Sequence, residues 1–364
     1  MALKRLAIPV FLVGAIAVAA VGEFLPASPA AAGNASSGKR DAVARIGGRD
    51  SLTRAVSVAR AFEASLSPAQ RAAVLYPFNS PKKYGWSYYQ TDLAPRNGVA
   101  IRDLSARQQA RLRALLRTIL SPRGYSDEVG VRKADTYLRN TYRGKTSLAA
   151  TFTYGEGRYY VAFFGTPSRS TKWTVQLTGH HYALNMTFSG ASVSDTPYFI
   201  GANPPTAFKL DGRTYQPMAD KAAATFGAVR SLNASQRAKA RLSQHFNDVL
   251  MGPGKDGQFP PKQGVTVSTL DRAQQKLVTR AIWSYVGDMP RAQADRLMAT
   301  YEKQYAQTKL AWSVSTDPTV PGAYVRIQGP RVWIEIVLNY LGRLVGEIPH
   351  FHSIERDVKT DYGA

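Results

Sequence analysis

Four of the five histidines in this chain occur as two close pairs, each beside a segment with the pattern of a β-strand. His180 and His181 follow the stretch KWTVQLTG, whereas His350 and His352 lie in IPHFHSIERD. Neutral imidazole is a common protein ligand for zinc, copper and iron. Because side chains alternate along a strand, His350 and His352 project to one face. His180 and His181 project to opposite faces unless the backbone bends, and Gly179 permits such a bend.

If the two pairs meet, they form a site for a divalent transition metal, namely zinc, copper or iron. Three converging histidines leave a position for metal-activated water, whereas four describe a closed or copper-like site. We therefore predict as metal ligands His180, His181, His350 and His352. The alternative is that the pairs are structural, because adjacent histidines often cap strands and hydrogen-bond to backbone. The spacing is not a recognised zinc signature such as H-E-x-x-H.

Four further residues are candidates for the same site. Asp357 is close enough in sequence to His352 to be a ligand, a partner that orients the ring, or a general base. The guanidinium groups of Arg356 and Arg96 suit an anionic or carbonyl-bearing substrate. Trp86 and Arg96 lie in the aromatic stretch KKYGWSYYQTDLAPRNG, which forms either a binding wall or a cover for the core. We predict Asp357 and Arg356 as catalytic, and Trp86 and Arg96 as substrate-binding.

The N-terminal residues have the pattern of a secretory signal peptide. Lys4 and Arg5 precede the apolar run Leu6–Val21, and small residues follow. We predict cleavage after residues 1–32, an exported mature protein, and a flexible leader at 33–50. No later stretch is apolar and long enough to span a bilayer. The chain contains no cysteine, which excludes disulfides and thiolate metal sites.

The composition is strongly basic, with 47 Lys and Arg residues against 25 Asp and Glu residues. The net charge is +22, and it stays at +21 when residues 1–32 are removed. Such a charge attracts anionic partners, which for an exported protein are a cell-envelope polymer or a small anionic substrate. The basic residues are scattered, without a block or an aromatic RNA-binding signature, so nucleic acid is not favoured as a partner.

The chain also repeats itself, mostly at a spacing of about 166 residues. SLSPAQRA at 65–72 returns as SLNASQRA at 231–238. NGVAIRDLSARQQARLRALL at 97–116 returns as QGVTVSTLDRAQQKLVTRAI at 263–282. The strand-like stretch YYVAFFGTPSRSTKWTVQL, which begins at Tyr159, matches AYVRIQGPRVWIEIVL, which begins at Ala323. Several ordered matches of this kind indicate a tandem duplication of one long unit.

Each copy has amphipathic helices followed by alternating strands. Ser105 and Asp271 stand where helix N-caps belong. The predicted strands are Ser147–Tyr154, Arg158–Gly165 and Lys172–Gly179 in copy one, and Lys309–Thr316, Ala323–Gly329 and Val332–Tyr340 in copy two. This order predicts an α+β fold with antiparallel sheet, packed about a pseudo-twofold axis as one compact unit. We assign residues 51–200 to copy one, 201–216 to the connection and 217–364 to copy two.

Two stretches resemble the signatures of a mostly bacterial, exported family, domain of unknown function 3500. They are WTVQLTGHHYALNMTFSGASVSDTPYFIGANP at 173–204 and HFHSIERDVKTDYGA at 350–364. The first contains the family's Gly-His-His, and the second its His-x-His-Ser-Ile, Arg-Asp and Asp-Tyr-Gly. The stretch from Trp86 to Gly98 is also similar to an N-terminal region of the family. In this chain Val358 follows Asp357, where the family more often has Pro. The resemblance implies that both histidine pairs belong to one pattern, and it implies no particular activity.

These observations favour an exported metal-binding protein that is a metal-dependent enzyme, with hydrolysis favoured over copper- or iron-dependent oxidation. A second hypothesis is a non-catalytic protein that binds an anionic envelope polymer and uses its histidines structurally. A third is a pH sensor, in which protonation of the histidines loosens the join between the two copies.

Overall fold

The computed structural model describes residues 49–142, 153–190, 192–340 and 348–363. The predicted signal peptide lies outside these ranges, as do most of the predicted leader and residues 147–152 of the first predicted strand. Within the described part of the chain, no helix combines the length and the apolar composition that a membrane span requires.

The described ranges contain eight α-helices, and four of them begin with the same local signal. The helices are α1 (Arg49–Glu63), α2 (Pro68–Val74), α3 (Ala106–Ile119), α4 (Pro122–Tyr142), α5 (Ala219–Arg230), α6 (Ala234–Ala240), α7 (Arg272–Val286) and α8 (Arg291–Glu302). Ser67, Ser105, Asn233 and Asp271 each cap a helix and exchange hydrogen bonds with a Gln three residues later. This capping box satisfies backbone N–H groups that the first turn leaves without partners. The predicted N-caps Ser105 and Asp271 are therefore confirmed.

Fourteen strands lie in the described ranges. They are β1 (Leu75–Tyr76), β2 (Val99–Ala100), β3 (Tyr160–Phe164), β4 (Trp173–Gly179), β5 (Tyr182–Ser189), β6 (Ser192–Ser194), β7 (Tyr198–Ala202), β8 (Phe208–Leu210), β9 (Arg213–Tyr215), β10 (Val265–Thr266), β11 (Lys309–Ser313), β12 (Tyr324–Gln328), β13 (Val332–Asn339) and β14 (His350–Asp357). Strands β8 and β9 form a separate hairpin, which falls in the segment predicted to connect the two copies.

The other twelve strands form one sheet in the order β1-β3-β4-β5-β7-β14-β13-β12-β11-β10, with β2 on β3 and β6 on β5. All its ladders are antiparallel except β1 with β3. The predicted α+β class with largely antiparallel sheet is thus confirmed. Strands β7 and β14 pair at the centre, so β14, which carries His350 and His352, lies directly beside a strand from the first half of the chain.

The central sheet is buried on both faces, and alternation along β14 assigns its residues to two different cores. Phe351 packs in the larger core, to which the helices contribute Leu115, Phe226 and Tyr285. Ile354 packs in a smaller core on the opposite face, covered by aromatic residues such as Trp86. His350 and His352 are an even number of residues from Ile354 and therefore share its face.

Candidate metal centre

A two-residue turn positions the first histidine pair. Strand β4 ends at Gly179, β5 begins at Tyr182, and these two residues pair with each other, which leaves His180 and His181 as the turn between the strands. His181 has φ 61°, in the left-handed region where histidine is enriched among non-glycine residues. A side chain on Gly179 would place its Cβ 2.4 Å from the ring of Tyr159, so only glycine fits there.

Backbone hydrogen bonds hold His181 in this conformation. Its N–H donates to the carbonyl of Tyr88 at 2.9 Å, and its own carbonyl accepts from the N–H of Gly201 at 2.8 Å. Gly201 lies on β7 opposite His352. A Cβ at Gly201 would lie 3.4 Å from the Cδ2 atoms of both His181 and His352, and 2.5 Å from the carbonyl of Phe351. The missing side chain therefore leaves room for two imidazole rings.

Three of the four predicted ligands meet through the same ring atom. The Nε2 atom of His352 lies 3.1 Å from Nε2 of His350 and 3.1 Å from Nε2 of His181. One ligand atom from each of these histidines can be chosen so that all three lie within 4.8 Å of one another, and each side chain is buried. Two nitrogens bound to one tetrahedral zinc at about 2.0–2.1 Å are roughly 3.3 Å apart. The spacing therefore suits a shared metal ion.

Contacts at the Nδ1 atoms determine which nitrogen of each ring carries the proton. His350 Nδ1 lies 2.9 Å from the carbonyl of Ile348, which can only accept a hydrogen bond. His352 Nδ1 lies 2.8 Å from a carboxylate oxygen of Asp248. The amide nitrogen of Asn339 is 3.3 Å from the same Nδ1, and the shorter, charged contact to Asp248 assigns the proton. Both rings therefore donate through Nδ1–H, and both Nε2 atoms present a lone pair.

Two lone pairs 3.1 Å apart repel unless a cation lies between them. A proton would serve, but burial, together with the neighbouring His352, lowers the pKa of His350 to about 3. Burial and the other three histidines also lower the pKa of His181 well below its ordinary value. Near neutral pH His350 and His181 are therefore free bases, which is the form that binds metal ions.

Asp248 is the carboxylate that orients His352. Burial favours its neutral form, but His352 and the donors Val249 N–H and Tyr88 O–H hold the pKa of Asp248 below its usual value. The Tyr88 hydroxyl donates to Asp248 Oδ2 at 2.9 Å, and the Tyr88 ring stacks on Phe199 at 3.7 Å. A carboxylate behind a metal-binding histidine fixes its ring and increases its basicity. The sequence analysis missed Asp248, and no local motif around it marks this role.

His180 is adjacent to the three converging histidines but makes different contacts. Its Nδ1 lies 2.5 Å from a carboxylate oxygen of Asp135 on α4, and its ring stacks on that of His181 at 3.7 Å. Its carbonyl accepts a hydrogen bond from Tyr159. The compact group of possible ligands contains the other three histidines. The structure therefore brings His180 beside the group as a stacking partner, and not as a fourth member.

Asp357 and Arg356 do not join the histidines, because they lie at the opposite end of β14. Asp357 follows His352 by five residues along the strand, which is about 17 Å at the usual rise. The Asp357 carboxylate pairs with Arg331 and accepts from the Tyr301 hydroxyl at 3.2 Å. These partners occupy the groups that the predicted catalytic role requires.

Arg356 is fully buried and is held by three partners. Its guanidinium donates to the carbonyl of Met251 at 2.8 Å and to Asp361 at 2.7 Å, and it also pairs with Asp256. It points to the same face as the histidines, as alternation requires, but it links loops to the sheet.

The predicted substrate-binding residues are also engaged within the fold. Trp86 is 2% exposed in the smaller core, and its Nε1–H donates to the Tyr362 hydroxyl at 2.6 Å. The Arg96 guanidinium donates to the carbonyls of Ala94 and Tyr89 in its own loop. Of the two readings of this aromatic stretch, the contacts of Trp86 match the cover for the core.

Comparisons with known proteins identify the family and no closer relative. A search of curated proteins found no match, and a search of solved structures found none either. Residues 49–364 match the model of a family described as a protein of unknown function, DUF3500. This range includes both histidine pairs and Asp248. The chain therefore belongs to the DUF3500 family.

Proposed function

We propose that this protein is an exported metal-dependent enzyme that holds a zinc, copper or iron ion through Nε2 of His181, His350 and His352. The observation behind the proposal is that the Nε2 atoms of His350 and His352, each with a lone pair, lie 3.1 Å apart. Both rings are oriented by acceptors at Nδ1, both are buried, and protonation of His350 is strongly disfavoured. A divalent metal ion resolves the repulsion between the two nitrogens while both rings keep the Nδ1–H tautomers that Ile348 and Asp248 favour.

The donor set favours hydrolysis over oxidation. Three neutral imidazoles leave at least one coordination position for water, and a metal in such a site lowers the pKa of that water and polarises a carbonyl or phosphoryl oxygen. The protein would contribute the orientation of the rings, through Asp248 and the backbone carbonyl of Ile348. It would also contribute an apolar wall, since Tyr88 and Phe199 pack edge-on against His352.

Elemental analysis tests the metal proposal. The mature protein, purified without a His tag, should contain about one equivalent of zinc, copper or iron, and His352→Ala should contain none. His245→Ala is the matched control, because His245 is exposed and lies outside the group. Circular dichroism would verify that each variant folds. The proposal fails if His352→Ala keeps the metal of the wild type, or if the folded wild type takes up none of the three ions.

The metal that is found determines the next assay. Zinc directs the search to ester, amide and phosphoester substrates, whereas copper or iron directs it to oxidation. Turnover should disappear in His352→Ala and persist in His245→Ala. If His352→Ala loses the metal but the wild type shows no turnover, the result supports the non-catalytic hypothesis instead.

The second candidate function is binding of an anionic cell-envelope polymer, which the charge of +21 favours once residues 1–32 are removed. Binding of this kind weakens steeply with ionic strength, because salt screens exposed charges. Metal content and turnover should not follow that dependence. Cosedimentation with an anionic polymer such as teichoic acid at rising salt separates the two functions, and His352→Ala should bind the polymer as well as the wild type.

We also propose that the sheet arose by the duplication that the repeats indicate. Val99 pairs with Val161 at one edge, and Val265, 166 residues after Val99, pairs with Leu310 at the other. Gln108 donates to the carbonyl of Ser65, and Gln274, again 166 residues on, donates to that of Ser231. These contacts support two copies that meet where β7 pairs with β14, a junction that we call the β7–β14 seam.

The ladders support a strand correspondence that differs from the sequence match. Because β2 pairs with β3 as β10 pairs with β11, the order from the edge inward relates β3 to β11, β4 to β12, β5 to β13 and β7 to β14. The sequence match instead aligned β3 with β12. Superposition of the two halves tests this correspondence, because the helices and strands of one half should then overlie those of the other.

A further inference from the structure

A pocket of about 410 Å³ opens beside Arg331, at the Asp357 end of the β7–β14 seam. Its wall carries three cations, Lys172, Arg296 and Arg331, and no carboxylate among the described residues. Hydroxyl groups complete the polar lining, including those of Ser194, Thr300 and Thr360. Pockets of about 300–1,000 Å³ accommodate small organic ligands.

One backbone hydrogen bond of Arg331 matches one of His181, although of these two residues only His181 has a left-handed backbone. The Arg331 carbonyl accepts from the N–H of Val358 at 2.7 Å, just as the His181 carbonyl accepts from Gly201 at 2.8 Å. Arg331 lies between β12 and β13, and His181 lies between β4 and β5. A turn therefore places a side chain at each end of the β7–β14 seam. The side chain is the imidazole of His181 at one end and the guanidinium of Arg331 at the other.

The charges of this pocket are only partly compensated. Arg331 pairs with Asp357, and its guanidinium also donates to the Thr360 hydroxyl at 3.2 Å. The Lys172 ammonium donates to the carbonyl of Gly363 at 2.9 Å. Among the described residues, no carboxylate pairs with Lys172 or Arg296. Within the described part of the chain, these two cations therefore have no ion-pair partner, and we take them as the groups that would contact an anion.

A buried amide at the pocket wall adds a second requirement. Gln293 is 8% exposed, and its Oε1 accepts no hydrogen bond from the described residues. Buried polar atoms are nearly always partnered, so within the described part of the chain this oxygen is free to accept from a ligand or a bound water. A hydroxyl group can act as that donor and can also pair with Ser194 and Thr300.

We propose that this pocket binds a polyhydroxylated anion, such as a sugar carrying a phosphate or a carboxylate. The anionic group contacts Lys172 and Arg296, and the hydroxyls pair with Gln293 and the Ser and Thr side chains. The pocket is separate from the histidine centre, so its ligand does not depend on a bound metal.

Calorimetric titration of the full mature protein at low ionic strength tests the proposal. The probes are glucose 6-phosphate, glucuronate, inorganic phosphate and uncharged glucose. Wild type should bind glucose 6-phosphate or glucuronate, and the stronger of the two identifies the anionic group. Arg296→Gln and Lys172→Gln should each weaken binding about tenfold or more, because each removes a charge-assisted hydrogen bond.

Two controls make the result specific. Arg280→Gln removes an exposed charge on α7 away from the pocket and should leave binding unchanged, as should His352→Ala. The proposal fails if no charged sugar binds, or if Arg280→Gln weakens binding as much as Arg296→Gln. It also fails if glucose binds as tightly as the charged sugars, or if inorganic phosphate binds as tightly as glucose 6-phosphate.

Discussion

Burial shifts the pKa values of ionisable groups in opposite directions at the two ends of the β7–β14 seam. At one end burial removes protons from bases, and the pKa of His350 falls to about 3. At the other end it adds protons to acids: burial and nearby carboxylates raise the pKa of Glu355 well above its ordinary value and that of Asp195 to about 7. A low-dielectric interior disfavours charge of either sign. Neutral imidazole is the form that binds a metal ion, whereas a carboxyl group binds a cation well only after it has lost its proton, so burial favours cation binding by these histidines over Glu355 and Asp195.

The two ends also differ in how their carboxylates are used. Asp248 orients one ring and has a depressed pKa, so it is a charged partner placed behind the site. Asp357 is held by Arg331, Tyr301 and the backbone N–H groups of Lys359 and Thr360. The comparison teaches that an acidic residue near a histidine in sequence is a weaker indicator of function than one brought to the ring by the fold.

The largest effect is expected on the pH dependence of stability, for Asp195→Asn at the Asp357 end of the seam. The pKa of Asp195 in the folded protein, about 7, exceeds its ordinary value of 3.8. Its contribution to stability is therefore fully present below about pH 4 and is lost as the pH rises through 7. Relative to the variant, the free energy of unfolding of the wild type should fall by on the order of 4 kcal/mol between pH 4 and pH 8. Urea unfolding at several pH values measures this difference.

The exposed Asp103 offers a control for that comparison, because Asp103→Asn should leave the pH profile of stability parallel to that of the wild type. If the stability profile of Asp195→Asn is also parallel to that of the wild type, then burial does not raise the pKa of the Asp195 carboxyl.

An intermediate effect is expected at the histidine end, for Asp248→Asn. Loss of the charge behind His352 should weaken metal binding about ten- to hundredfold, as is typical when the partner of a ligating ring is changed. Asp357→Asn is the matched change at the other end and should leave metal affinity unaltered. Competition with a chromogenic chelator measures both affinities. Equal losses in the two variants would remove the distinction between the two ends.

The smallest effect is expected for His180→Gln. Because His180 stacks on His181 and lies outside the ligand group, one equivalent of metal should remain, with an affinity less than about tenfold lower. Elemental analysis of the dialysed variant gives the answer. A metal-free His180→Gln protein would mean that all four histidines are ligands, as the sequence first suggested.

Local chemistry explains what could be predicted from sequence. The N-caps Ser105 and Asp271 were recognisable because their bonds reach only three residues along the chain. The shared face of His350 and His352 follows from the two-residue period of a strand, which no packing can change without breaking the ladder. The family motifs likewise lie in continuous stretches of sequence.

The rest of the site depended on contacts between residues distant in sequence. Asp248 reaches His352 across 104 residues, and His181 reaches it across 171. The left-handed turn at His181 is maintained by Tyr88 and Gly201, which no neighbouring residue of the hairpin indicates. Trp86 is likewise placed in the core by Tyr362, 276 residues away.

The sequence by itself therefore determined the α+β class, the starts of α3 and α7, the family and the pairing of histidines on one strand. Only the tertiary structure decided that three histidines converge, that Asp248 orients one of them, and that Asp357 belongs to the opposite end. The physical reason is that capping and alternation are set by adjacent residues, whereas strand order across the β7–β14 seam is set by the packing of the whole sheet.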